Sequence, residues 1–205
     1  MSIELDHIFW MVPKDDVDRV AAAMSALGLK ESYRRQHPGQ GTSNICYCFE
    51  NAFLEILWLE DEADARSPAI ARTKLADRAL GQANPFGIAW RGDANVSMWD
   101  FKPPYLPKGV VIPMAVASDD HDLPLLFSFP GSKPPSEMPP DRHGGMQKEA
   151  GFERLEIAKF RCADMSIINS FSKKMVPAFQ VELGAPSMTL SLAGLLKQIT
   201  LDLPF

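Results

Sequence analysis

SIELDHIFWMV (residues 2–12) is the stretch on which the fold turns. Its alternation and its β-branched and aromatic content predict a strand. One imidazole, His7, stands inside it among Leu5, Ile8, Phe9 and Trp10. Downstream, Asp15 or Asp16 is placed to cap a helix in which Val17, Val20, Ala21, Met24 and Leu27 recur at helical spacing, and Gly28 stops it. Leu29–Arg35 predicts a second strand and His37-Pro38-Gly39-Gln40-Gly41 a loop. Asn44–Phe49 and Ala52–Leu59, joined at Glu50-Asn51, predict a hairpin. Residues 1–60 therefore form a β-α-β-β-β module.

Residues 60–83 are charged and helix-prone, with Ser67-Pro68 as a helix start, and predict a solvated connecting helix. FGIAWR (86–91) predicts a strand, and Val110–Val116 and Leu123–Phe129 short extended pieces. PGSKPPSEMPPDRHGG (130–145) is an irregular loop, since repeated proline excludes both helix and inner strand. From Phe152 the pattern restarts. FERLEIAKFRC (152–162) is a strand, Asp164 caps MSIINSFSKKMV (165–176) as a helix, and Phe179–Leu183 extends again. Ser187–Leu192 and Gln198–Leu203 close as a hairpin. The chain divides into a first module (1–60), a connecting helix with a degenerate second module and Pro-rich loop (61–150), and a C-terminal β-α-β-β segment (151–205), all within one compact unit.

With 205 residues there is room for one ordinary domain or two small fused ones, and the apolar share of 46% is that of a folded protein. Net charge is −5, and the tightest basic groups, Arg34-Arg35 and Lys173-Lys174, are only pairs. Grip on nucleic acid or anionic membrane runs on clustered Lys and Arg, so neither is an expected partner. The N-terminus lacks a basic segment followed by an apolar one, and no apolar run is long enough to span a bilayer. Three cysteines cannot all pair within one chain, and reduced thiols in the cytoplasm are the expectation.

Glu55 lies in FLEILW (53–58), one carboxylate among apolar neighbours. An unpaired buried carboxylate costs several kcal/mol or more, so it needs a metal, a cation or a proton, unless the strand turns it to water. Brought side by side by neighbouring strands, His7 and Glu55 would make a ligand pair for Zn, Ni, Mn or Fe. A third ligand would be required, and spacing does not choose among His37, Asn44, His121 and His143. The loop from His37 to Asn44 concentrates polar groups: glycines admit close backbone approach, and Thr42, Ser43 and Asn44 supply donors and acceptors. It holds no Gly-Lys-Ser/Thr, and no dinucleotide fingerprint or nucleophile elbow occurs, so no nucleotide cofactor is expected. Cys46 and Cys48 would share a face in a strand, but no further zinc-spaced ligand follows, and they read as small buried hydrophobes. Arg91 and Arg34-Arg35 are available to neutralise a carboxylate on a ligand.

Taken in order, LDHIFWMVP, LGLK, HPGQGTSN and NAFLEILWL resemble the glyoxalase-like domain of the vicinal oxygen chelate superfamily, most strongly over residues 3–60 and more weakly to about residue 160. The resemblance implies an α+β fold of paired β-α-β-β-β modules, with curved mixed sheets around a cleft that holds a divalent metal. It places His7 and Glu55 as metal ligands, Glu55 also as the proton-shuttling catalytic group, and His37 as a third ligand or substrate contact. Gly41, Thr42 and Asn44 would line the pocket with Arg91, and a small molecule would be the partner. The implied activity is that of a lyase, isomerase or dioxygenase, with a metal-free binding or sequestering protein as the alternative. Such modules also pair across chains, which leaves a homodimer open. The sequence departs from the pattern at FGIAWR, with Ala89-Trp90 where a histidine ligand is sought, and at LPLLFSF, which has no carboxylate; Glu156 is the comparable acid further on.

Overall fold

The computed structural model describes residues 2–129, 131–195 and 197–204. The first module is β1 (Ile3–Met11), α1 (Val17–Ala26), β2 (Tyr33–His37), β3 (Thr42–Cys48) and β4 (Phe53–Leu59). Short helices α2 (Glu62–Ala65) and α3 (Leu75–Ala79) lead to β5 (Phe86–Arg91), β6 (Met98–Phe101), β7 (Ile112–Ala115) and β8 (Leu125–Ser128). After α4 (Pro140–His143) come β9 (Arg154–Cys162), α5 (Met165–Ser172), β10 (Met175–Val176), β11 (Gln180–Leu183), β12 (Ser187–Ala193) and β13 (Gln198–Leu203).

The large sheet runs β2-β3-β4-β1-β5-β8-β7-β6, with β10 added at the start of β1. β1 pairs with β4 in parallel and β5 with β8 in parallel, while β1 and β5 run antiparallel through the centre. The two halves are thus related by a pseudo-two-fold axis through the β1–β5 seam, four strands each, and the fold is mixed α+β with a curved sheet. A second sheet, β11-β9-β12-β13, is separate.

Because side chains alternate along each strand, the large sheet has two different faces. Ile8, Ile45, Leu54, Ile56, Ile88 and Leu126 point to the convex face and share one buried apolar cluster with Val20 and Met24 of α1 and with Leu155, Phe160, Leu190 and Leu192 of the second sheet. Phe86 meets Phe160 edge-on at 5.8 Å, and Trp90 meets Phe171 at 5.0 Å. Phe9, Leu57, Phe101, Met114, Leu125 and Phe127 form a second cluster on the concave face.

Several local expectations are corrected. Residues 60–83 are not one solvated helix. Lys74 takes a left-handed conformation (φ 57°) that separates the Ala71–Thr73 turn from α3, and Ile70, Leu75 and Ala76 are buried. The fully buried Arg78 clamps this segment by donating from Nη1 to the carbonyls of Asn84 (2.5 Å) and Leu123 (3.0 Å). β2 begins at Tyr33 rather than Leu29, because the backbone of Lys30 pairs with the Gln147 side chain through both its N–H (2.9 Å) and its carbonyl (2.7 Å). Asp16 stands at the start of α1 without capping it through its side chain, and instead accepts from Arg19 at 3.1 Å. Asp164 does cap α5, accepting from the Ser166 N–H at 2.8 Å.

Candidate active site

The concave face is where the polar anomalies of the sequence meet. β1 bulges between Leu5 and His7: Leu5 pairs with Trp90 and His7 with Ala89, leaving Asp6 as the extra residue. A bulge re-aims side chains, and here Asp6 and His7, two neighbours that plain alternation would send to opposite faces, both line one cavity. His7 Nδ1 lies 2.7 Å from Asp6 Oδ1. The other carboxylate oxygen of Asp6 accepts from Arg91 Nη1 (3.1 Å) and Ser132 Oγ (2.6 Å). Burial pushes the Asp6 carboxyl up, but the hydrogen bond and charge of His7, the Ser132 hydroxyl and the Arg91 guanidinium outweigh it and hold the group below its ordinary value. An ionised Asp6 accepts the Nδ1–H of the imidazole, so a neutral His7 ring presents a bare Nε2. That atom faces Glu55 Oε2 at 3.9 Å. Phe53 stacks on the ring at 4.3 Å, and Phe127 and Phe129 meet it edge-on, which fixes its plane.

Glu55 reaches the same face from β4, where it pairs with Cys46 on β3 and Phe9 on β1. Its Oε1 accepts from Asn44 Nδ2 at 2.5 Å, and Asn44 Oδ1 accepts the Arg35 N–H at 3.0 Å. Asn44 Nδ2 is also 3.4 Å from His37 Nε2, and His37 Nδ1 is 2.9 Å from Thr42 Oγ1, which accepts as well from Gln40 Nε2. The network is satisfied if His37 is neutral, with its hydrogen on Nδ1 and Nε2 accepting from Asn44. Burial pushes the His37 imidazole down, the charge of Glu55 opposes this in part, and Arg35 adds to the fall.

A pH dependence follows. The unfolded chain takes up a proton at this histidine near pH ~6.5, before the folded protein does, so neutral His37 contributes its full stability above that pH and loses it as the pH falls further. Thermal midpoints are expected to drop between pH about 7 and about 5.5, with a flatter profile in His37→Gln. Parallel profiles for the two proteins would contradict this role.

Asp6, His7, Glu55, His37, Gln40 and Asn44 occupy one wall of a cavity of about 1080 Å³. Of the residues picked out from sequence, His7, His37, Asn44 and Glu55 therefore converge. Thr42 and Arg91 stand one layer back, behind His37 and Asp6 respectively. Gly41 is a turn residue: its φ is +77°, a Cβ would lie 2.1 Å from the Asp61 carbonyl oxygen, and its own carbonyl accepts from Glu60 and Asp61. Glu156 lies in the second sheet, bonded to Arg154. Cys46 and Cys48 are buried free thiols, and burial pushes Cys46 well up and Cys48 to about 11. Sequence reasoning passed over Asp6, Ser132 and Tyr105. Tyr105, from the Pro-rich stretch, stacks obliquely on His37 at 4.7 Å; burial, then the charge of Glu55, push its phenol far up, so it stays an O–H donor.

Residues 5–98 match the family described as "Glyoxalase-like domain". This part of the chain is therefore similar to a glyoxalase-like domain. A hypothetical protein from Staphylococcus aureus of known crystal structure shares its fold, with a TM-score of 0.53 at 14% identity over 91% of this chain and 88% of that one. Lower similarities include a hypothetical protein from Bacillus halodurans (TM-score 0.45, 18% identity, 65% and 97% covered). Another is a Streptomyces coelicolor methylmalonyl-CoA epimerase in complex with 2-nitronate-propionyl-CoA (TM-score 0.42, 17% identity, 63% and 97% covered). No curated protein matches the sequence.

The seam between β1 and β5 tests whether a resident divalent metal fits. Ile8 opposes Ile88, so the two-fold relation carries His7 onto Gly87 and Phe9 onto Ala89. Since Phe9 pairs with Glu55 and Ala89 with Phe127, it carries Glu55 onto Phe127. The second half thus offers glycine and phenylalanine where the first offers imidazole and carboxylate. A Cβ on Gly87 would lie 2.0 Å from the Phe9 ring, so that ring fills the place of a second-half side chain. Among the described residues no three His, Cys, Asp or Glu side chains converge as a metal-binding group. One oxygen of Glu55 is already held by Asn44, and His37 is engaged at both ring nitrogens. The donor set does not fit a resident metal. Among the described residues no helix is long and apolar enough to cross a membrane.

Proposed function

We propose that this chain is a small-molecule enzyme that moves a proton at a carbon next to a carbonyl, an isomerase or lyase in class. The observation that carries the reading is the opposition of His7 Nε2 and Glu55 Oε2 at 3.9 Å, both buried and both on the wall of a large cavity. A general base and a general acid must each lie within hydrogen-bond reach of the proton they handle, and a substrate carbon held over the pair, in contact with both atoms from the cavity side, meets that condition. Asp6 fixes the His7 tautomer and steadies the ring once it has accepted a proton. Asn44 ties down Oε1 of Glu55 and leaves Oε2 turned to the cavity. The Tyr105 hydroxyl is a donor for the oxygen on which enolate charge develops.

Deuterium uptake from D2O into 2-oxo acids and α-hydroxy aldehydes, followed by proton NMR on chelator-treated protein, tests this. The reading expects exchange without added metal. Exchange that appears only with Zn, Ni, Mn or Fe would instead make His7 and Glu55 metal ligands in a metal-dependent lyase or dioxygenase. A second reading, a carrier that holds its ligand unchanged, is favoured by the phenylalanine-filled half of the cavity; thermal stabilisation by ligand with no exchange would select it.

A further inference from the structure

The cavity is polar at one end and apolar at the other, and the strand order sets the direction. Across the large sheet, β2 contributes Arg35, β3 Asn44, β4 Glu55 and β1 His7; beyond the seam come Leu125 on β8, Met114 on β7 and Phe101 on β6. The proton-transfer pair therefore sits in the middle, with cations on one side and hydrocarbon on the other. The cationic end is completed by the Pro-rich loop, which brings Arg142 beside Arg35; the same loop lines the cavity with Lys133, next to the Ser132 that bonds Asp6, and with one acid, Glu137.

Arg34, next in the chain, is neutralised by Glu31 at 2.5 Å, and Arg91 by Asp6. Among the described residues Arg35, Lys133 and Arg142 have no carboxylate within ion-pair distance. Arg35 lies over the Tyr33 ring at 4.3 Å and donates to the backbone carbonyl of Arg142 at 3.4 Å, which holds one guanidinium beside the segment that carries another. Three cations against the single acid Glu137 on this wall leave an excess of positive charge, which is unfavourable, in a chain whose net charge is −5. An anion at this end offsets them.

We infer that the substrate is an amphipathic carboxylate. Its anionic head lies at Arg35 and Arg142, its reacting carbon over His7 Nε2 and Glu55 Oε2, and its hydrocarbon body against Met114, Leu125 and Phe101. This rests on the proton-transfer reading for the reaction, but not for the binding.

Calorimetric titration with decanoate and with decan-1-ol separates head from tail. Decanoate is expected to bind about tenfold more tightly than the alcohol and to weaken as salt is raised. Arg35→Gln/Arg142→Gln, two exposed positions, should erase that preference while leaving decanol binding unchanged. Leu106→Gln, at the half-buried rim of the apolar end, should weaken both ligands. Equal affinity for acid and alcohol, an unchanged preference in the double variant, or no binding of either would overturn the assignment. His7→Gln keeps the two proposals apart. Decanoate binding that survives in it, with no deuterium exchange of 2-oxodecanoate in the wild type, removes the proton-transfer reading alone. Exchange that is indifferent to the arginine variants removes the carboxylate assignment alone.

Discussion

His7→Gln is expected to lower the rate of carbon–hydrogen exchange by about 10²- to 10⁴-fold, the range for losing a positioned general base. The amide cannot accept a proton at the position of Nε2. The substitution should leave the fold standing, because the buried Asp6 carboxylate keeps Arg91 and Ser132 as partners. Stopped exchange with an unshifted melting temperature is the predicted pair of readings. An exchange rate within a factor of about 2 of the wild type would show that the imidazole is a structural group. Asp6→Asn should also slow exchange, since an amide can donate to Nδ1 and so favour the other tautomer, turning an N–H toward the substrate.

Phe160→Ala should produce the largest loss of stability. Phe160 is fully buried on β9, pairs in register with Met188 and Val181, and presents its ring to Phe86 on the back of the large sheet. Truncating such a side chain costs about 3–5 kcal/mol, the lost transfer energy plus the cavity left behind, against a total stability of about 5–15 kcal/mol for a typical domain. Urea denaturation measures the difference. Phe160→Leu should recover most of the loss, and a cost below about 1 kcal/mol for the alanine variant would mean that the two sheets are not packed through this ring.

The first module was legible because its anomalies are local. A single imidazole and a single carboxylate in apolar strands stand out in the sequence, and period-2 alternation with a two-residue turn is enough to set β3 against β4. Asp6 was not legible for the same reason: alternation assigns it to the face opposite His7, and only the bulge, a property of the β1–β5 pairing, brings it round. The second half of the cavity was partly legible. FGIAWR is a strand as expected, but the residue related to His7 is Gly87, not Ala89 or Trp90, and pairing register alone reveals that. The charged segment after β4 misled because its acidic and basic residues dominate its composition, whereas Ile70, Leu75 and Arg78 turn inward. Tyr105 and Ser132 lie in Pro-rich sequence with no periodicity, and what fixes them is contact with His37 and with Asp6.

The opposition of His7 and Glu55 across one cavity is tested most directly by a double-mutant cycle on deuterium exchange, using His7→Gln, Glu55→Gln and the two together in chelator-treated protein. Two groups that hand one proton through the same substrate act as a unit, so the double variant should be no slower than the slower single variant. Rate losses that simply multiply would contradict it, showing that the imidazole and the carboxylate work independently.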